Sequence, residues 1–287
     1  MTNGRNLSPF PDSPFGAQFV LSCAPPSLLK SFPKSVHAAA SFSWSALSFP
    51  RQAYNPNQAC LPSSPSKFGG TFLGDGPFYF TLYPNHDLRK LLSYTPMIRK
   101  TAKSLGYFIK IKRISFLGNK IPLPLSIIGS DQVRLSTIKP YTTLRSDIYK
   151  ALIVSISGAT KSFIPRVNAV KPFGLCFRAS GPTTRVSYRL PDIDLKMEGG
   201  SIWTLSQENL LKNVGNDVAC LALVDGGSGI KNAIVIGTYQ MENNFLFFDL
   251  KDQRLGFSSS LLARGTSCND FNFTQVRTTR MTSFPAS

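Results

Sequence analysis

Histidine is almost absent from this chain: His37 and His86 are the only two, and none follows residue 86. Serine or cysteine catalysis that relies on an imidazole base would have to recruit one of these. Both sit in stretches that carry little sign of regular structure. The five cysteines, Cys23, Cys60, Cys176, Cys220 and Cys268, include no Cys-x-x-Cys pair. With two histidines and such spacing, zinc has no plausible ligand set. Neither glycine motif that cradles phosphate is matched, so no metal and no cofactor is expected. Long apolar runs are missing as well; none approaches the roughly 18 residues of a membrane helix. Residues 15–24 are moderately apolar, but Asp12 precedes them and Pro25 and Pro26 interrupt them, which argues against an export leader. Acidic residues are also scarce. Fifteen Asp and Glu face 32 Lys and Arg, for a net charge of +17.

That imbalance favours acidic partners: nucleic acid, an anionic membrane, an acidic polysaccharide or an acidic protein. The first two are disfavoured by the lack of aromatic interleaving and of an amphipathic basic helix. The basic residues are scattered. Their densest group, Lys110, Lys112 and Arg113, lies in the alternating segment 107–116 and reads as the wet face of a strand. A 42% hydrophobic content over 287 residues is enough for the core of one large or two modest domains. Short apolar segments alternate with Gly, Pro, Ser and Asn clusters. Residues 218–224 read as a buried strand, and 233–236, 245–248 and 255–257 as further strands. Over 143–159, Leu144, Ile148, Leu152, Ile153 and Ile156 recur at helical steps. Before residue 80, Pro and Ser are dense and few strands can be named. The fold class is all-β, mainly strands with short helices. Widely spaced cysteines suit long-range disulfides in a secreted protein. Their odd number leaves either a free thiol or a partner absent from the chain.

Several segments carry a family resemblance. Ala233-Ile-Val-Ile-Gly-Thr-Tyr-Gln-Met-Glu-Asn-Asn-Phe-Leu-Phe-Phe-Asp-Leu250, followed by Arg254-Leu-Gly-Phe-Ser258, resembles the closing signature of pepsin-like proteins. Cys220-Leu-Ala-Leu-Val-Asp-Gly-Gly-Ser228 and Ser267-Cys-Asn-Asp-Phe-Asn-Phe-Thr274 look like a non-catalytic plant subgroup: extracellular dermal glycoproteins, basic 7S globulins and xylanase-inhibitor-like proteins. The match is continuous over about 91–274 and patchy before it. The resemblance implies a pepsin-like acid protease fold with a complete C-terminal lobe at 87–274. Residues 1–86 would be a truncated N-terminal lobe with the interlobe segment, and 275–287 a basic tail. The half lobe missing by this alignment would carry the first catalytic aspartate and the flap. Glycines of the relatives are replaced at Ala38, Ser41 and Ser43. The family pattern implies bridges Cys176–Cys220 and Cys60–Cys268 and leaves Cys23 an orphan.

By the same alignment Ser136 stands where the second catalytic aspartate of active relatives heads its turn, and Ile138 takes the glycine place. Aspartic proteolysis needs two carboxylates sharing one proton, which a hydroxyl cannot replace. Asp225, in Asp225-Gly-Gly-Ser228, resembles a catalytic turn but reads as a loop. No catalytic residue is therefore assigned. The resemblance implies a secreted binding protein or inhibitor, with acidic-cleft glycoside hydrolases of microbial origin as partners and endoglucanases favoured. Arg185 and Arg264, both expected on surface loops, are the candidate contacts. The xylanase-inhibiting branch uses a C-terminal histidine, which this chain lacks. An aspartic-type endopeptidase and a non-functional truncated product are the alternatives. Asn272 and Asn6 head acceptor sequons, and the family implies export to the cell wall.

Overall fold

A computed structural model describes residues 58–60, 70–72, 87–98, 106–124, 133–136, 138–179, 190–249 and 252–267. Along the chain come β1 (Gln58–Cys60), β2 (Gly70–Phe72), a 3-10 turn at Leu88–Leu91 and β3 (Ser93–Pro96). Then follow β4 (Phe108–Ile109), β5 (Ile111–Phe116), β6 (Asn119–Lys120), β7 (Val133–Leu135) and β8 (Thr142–Leu144). Helix α1 (Ser146–Thr160) leads into β9 (Arg166–Val167), β10 (Cys176–Arg178), β11 (Ile193–Met197) and β12 (Ile202–Leu205). The short helix α2 (Gln207–Leu210) precedes β13 (Leu211–Gly215), β14 (Val218–Leu221), β15 (Leu223–Asp225) and β16 (Ile234–Ile236). The one-turn helix α3 (Thr238–Met241), β17 (Phe245–Asp249), β18 (Arg254–Phe257) and a 3-10 turn at Leu261–Arg264 complete the order.

The strands form four sheets, ordered β2-β1-β17-β18-β3, β13-β14-β10-β9, β12-β11-β5-β6 and β15-β8-β16-β7-β4. The first joins strands from residues 58–72 to the signature near the C-terminus: β1 and β17 pair antiparallel, Cys60 opposite Phe245. The fold is thus mostly β with a few short helices. No helix among the described residues is long and apolar enough to cross a membrane.

Most elements follow the pattern of apolar residues. The two faces of β11 alternate strictly, with Ile193, Leu195 and Met197 buried. In α1, Ile148, Leu152 and Ile156 line the buried face, with Tyr149 and Thr160 beside them. The helix starts at Ser146, later than periodicity predicts. Leu144 belongs instead to β8, where it pairs with Asp225 and Ile234. The apolar run 218–224 is two strands in two sheets. Ala222 is the break: its N–H donates to the Leu210 carbonyl at 2.7 Å and its own carbonyl accepts from Gln240 Nε2 at 3.0 Å.

One continuous core joins the sheets. The Trp203 ring, fully buried, stacks on Phe257 at 5.1 Å, and its indole N–H donates to Asn244 Oδ1 at 3.1 Å. A buried aromatic with a polar tip needs such a partner. Cys176 and Cys220 face each other across β10 and β14 and form a disulfide, with Cα atoms 4.0 Å apart. Cys60 lies in β1 while Cys268, Cys23 and the tail 275–287 lie outside the described residues.

Candidate functional site

The site region is a crossed loop. Strand β16 runs between β7, parallel to it, and β8, antiparallel to it. The link from β7 to β8, residues 136–141, must therefore pass across the end of β16. Backbone bonds secure the crossing. Ser136 N–H donates to the Ile236 carbonyl at 2.9 Å, extending the parallel pair by one rung. On the other side, Thr238 and Tyr239 N–H donate to the carbonyls of Lys139 and Pro140, both at 2.9 Å.

Gly237 is required at the crossing by space, not by conformation. An added Cβ would lie 2.4 Å from the Tyr141 carbonyl carbon and 2.8 Å from Thr142 N, both backbone atoms that cannot turn away. Its N–H donates to Thr142 Oγ1 at 3.1 Å. Beneath it, Gln240 is completely buried and uses both ends of its amide. Its Oε1 accepts from Thr142 N–H at 2.8 Å, and its Nε2 donates to the carbonyls of Asn209 and Ala222. Placing a primary amide in a core is favourable only with partners of this kind.

Ser136 sits at the head of the crossed loop, nearly buried. Its Oγ accepts from the N–H of Ile138 and from the N–H of Lys139, each at 3.2 Å. Two amides aimed at one side-chain oxygen form a small anion-favouring cradle. A hydroxyl there is held in place but supplies no acid or base that titrates near neutral pH. Ile138 is 45% exposed and Lys139 is exposed, so the outer rim of the loop offers one apolar and one cationic side chain. Below the crossing lies an apolar cavity of about 30 Å³, walled by Leu144, Ile234 and Ile236 among others. Ligand pockets run to roughly 300–1,000 Å³, so this void holds no substrate.

Asp225 plays a structural part. At the end of β15 its Oδ1 accepts from Ser146 Oγ at 2.6 Å and from Gly227 N–H at 2.9 Å. The Ser146 bond, then the Gly227 amide, lower its pKa. The aspartate thus anchors the first turn of α1 to the sheet.

Arg264 is exposed at the end of the 3-10 turn Leu261–Arg264, which Gly265 closes in the left-handed region at φ 68°. Leu262, 37% exposed, lies on the same turn. Ser136 follows β7, whereas Arg264 ends the 3-10 turn Leu261–Arg264. Arg185, Asn6 and Asn272 lie outside the described residues.

Glu242 escapes sequence reading. Burial pushes its carboxyl from 4.5 up to about 7, against the opposing pull of Lys212. It follows α3 within the motif that resembles the pepsin-like signature, yet a glutamate after a polar-looking helix reads as solvent-facing. Burial also raises its neighbours Tyr239 and Tyr141, and the Glu242 charge raises both further.

A β lobe closed by a crossed loop, with the signature strands paired beside it, defines the class: this is a pepsin-like fold. The chain belongs to the family described as Xylanase inhibitor C-terminal, whose profile matches residues 106–259. It is similar to gamma conglutin 1 of Prunus dulcis, 38% identical over 95% of this chain and 63% of the relative. It is also similar to a protein of Oryza sativa subsp. japonica named Chitinase CLP, 34% identical over 95% of this chain and 66% of the relative. Among solved structures, the crystal structure of edgp matches with a TM-score of 0.65, 35% identity, 75% of this chain and 56% of that one. The chain therefore spans less than two thirds of the length of these relatives. The wider group includes basic 7S globulins and proteins named probable aspartic proteinase.

Proposed function

We propose that this protein is a non-catalytic pepsin-like protein of the extracellular space or cell wall that binds and blocks glycoside hydrolases with acidic clefts. Ser136 carries the reading. It takes the place of the second catalytic aspartate, and its hydroxyl occupies the cradle where two backbone amides would hold a carboxylate. Aspartic proteolysis needs two carboxylates that divide one proton between them. The names of some relatives favour an aspartic-type endopeptidase instead, and Ser136 opposes that reading.

The inhibitor reading rests on charge and presentation. Glycoside hydrolases hold two carboxyl groups about 5–9.5 Å apart in their clefts. A guanidinium pairs with a carboxylate through two parallel hydrogen bonds, and such a contact gains strength when water is excluded. Arg264 stands exposed on a capped turn beside exposed Leu262, a cation with an apolar neighbour. Arg185 is assigned the same role. The net charge of +17 steers association with an acidic cleft. The Cys176–Cys220 bond accords with an oxidising compartment.

The test is inhibition of a panel of microbial endoglucanases by the purified full chain. Inhibition is expected, and Arg264→Ala should weaken it roughly thirtyfold, the size of a central interface contact. Failure to inhibit any member, or undiminished inhibition by a variant lacking both arginines, overturns the assignment.

A further inference from the structure

Successive side chains of a strand point to opposite faces, and Lys112 and Arg113 break that rule. Both are exposed, between buried Ile111 and Ile114. The cause is a bulge. On β11, Lys196 faces Arg113 and Met197 faces Ile111, so Lys112 is the additional residue on β5. A bulge of this kind turns two neighbouring side chains toward one side and bends the strand. Lys196, directly opposite Arg113, is half-buried on the same outer face. Three cations thus converge on one point of a sheet.

Like charges set directly across an antiparallel pair are destabilising. Among the described residues none of the three has an ion pair. Two carboxylates close in sequence to Lys196 have other partners: Glu198, just past β11, pairs with Lys110 Nζ at 3.6 Å, and Asp194, on the same outer face of β11, accepts from Thr204 Oγ1 at 2.7 Å. Lys120 on β6, exposed and across the ladder from Ser115, continues the basic surface. Among the described residues, the outward positions of β5, β6 and β11 carry no aromatic ring on which a base could stack. Among the described residues, exposed Leu117 at the β5–β6 turn and exposed Ile202, opposite Lys196 on β12, are isolated apolar side chains, too little for the buried anchor of a protein interface. What the face does offer is exposed point charges at Lys112, Arg113 and Lys120, with the half-buried Thr204 hydroxyl on the adjoining β12. That is the chemistry that holds carboxylates repeated along a hydroxyl-rich, unbranched chain.

We propose that the outer face of β5, β6 and β11 binds a linear acidic polysaccharide of the polyuronate type. Lys112, Arg113 and Lys196 grip its carboxylates, and Lys120 extends the track. The proposal does not depend on the arginine contacts assigned above.

Polygalacturonate is the probe. Binding to the full chain is measured by titration calorimetry at ionic strengths of about 0.01 M and about 0.15 M, where the screening length falls from roughly 30 to 8 Å. Binding is expected at both, weaker at the higher. The triple variant K112S/R113S/K196S should lose affinity roughly tenfold or more. K161S/K171S/K231S removes the same charge from exposed sites elsewhere and should change affinity less than about twofold. K112R/K196R should keep wild-type affinity, and each single serine substitution should show an intermediate loss. No binding by the wild type overturns the proposal. So does equal loss in both triple variants, or equal binding of a fully methyl-esterified polymer. A DNA duplex or an acidic polypeptide that binds more tightly at matched charge, through the same three residues, also overturns it by naming another class of partner.

Discussion

Ser136 and Gly237 lie on two sides of one crossing, yet they respond differently to change. Ser136→Ala removes an acceptor from two amides that water can reach, because Ile138 and Lys139 are exposed. The expected loss is about 1 kcal/mol, read as a lower urea midpoint with an unchanged slope. Gly237→Ala instead forces a methyl group to within 2.4 Å of backbone carbon. No rotamer relieves that clash, so the loss should be about 3 kcal/mol or more. Comparable midpoints for the two variants would show that the crossing yields more easily than its geometry implies. Glu242 adds a pH dependence. Its carboxyl titrates at about 7 when folded and near 4.5 otherwise. Below both values the acid is neutral in either state and no penalty is felt. As pH rises between them, the unfolded chain loses its proton first and stability falls; above about 7 the loss is complete. Glu242→Gln should flatten this part of the stability curve and leave the acid limit nearly unchanged. A curve for the variant that still falls over the same window would assign the dependence to another group.

At the scale of elements, the Cys176–Cys220 bond ties neighbouring strands across a separation of 44 residues. Replacing both cysteines by alanine should cost roughly 2–4 kcal/mol, by releasing the unfolded chain from that loop. A reducing agent should lower the denaturation midpoint of the wild type and not of the variant. Much of the element plan is legible in the sequence where local pattern and burial coincide. The buried triad of α1 and the strands 234–236, 245–249 and 254–257 stand out because their ends fall at glycine or turn residues. Ala222 does not, since an apolar run says nothing about which sheet each half joins. Leu144 obeys helical spacing from Ile148 but is drawn into β8 by its pairing with Asp225 and Ile234. Long-range pairing decides such cases, and local periodicity is blind to it. The candidate site divides the same way. Ser136 is singled out by its segment alone, because the residues around it resemble a known turn. The burial of Glu242, and Lys196 opposite Arg113, arise only when distant strands meet. The bulge that exposes Lys112 beside Arg113 is likewise invisible in an alternating segment.

For the whole molecule, the central question is whether the crossed loop retains chemistry. Purified protein assayed on denatured globin at acid pH should show no pepstatin-sensitive cleavage; reproducible cleavage would overturn the non-catalytic reading. Ser136→Asp separates two reasons for silence. The two amides that now serve the serine would stabilise a carboxylate in its ionised form, so the variant should fold and hold its charge. One ionised aspartate can accept a proton from water but cannot also polarise the substrate carbonyl, which needs a second, protonated carboxyl facing it. Ser136→Asp is therefore expected to remain inactive while keeping wild-type inhibition of endoglucanase, since Arg264 lies on a separate turn. If instead this single change brings pepstatin-sensitive turnover, a second carboxylate must already face position 136. The substitution at Ser136 would then be the only step between this protein and an active protease.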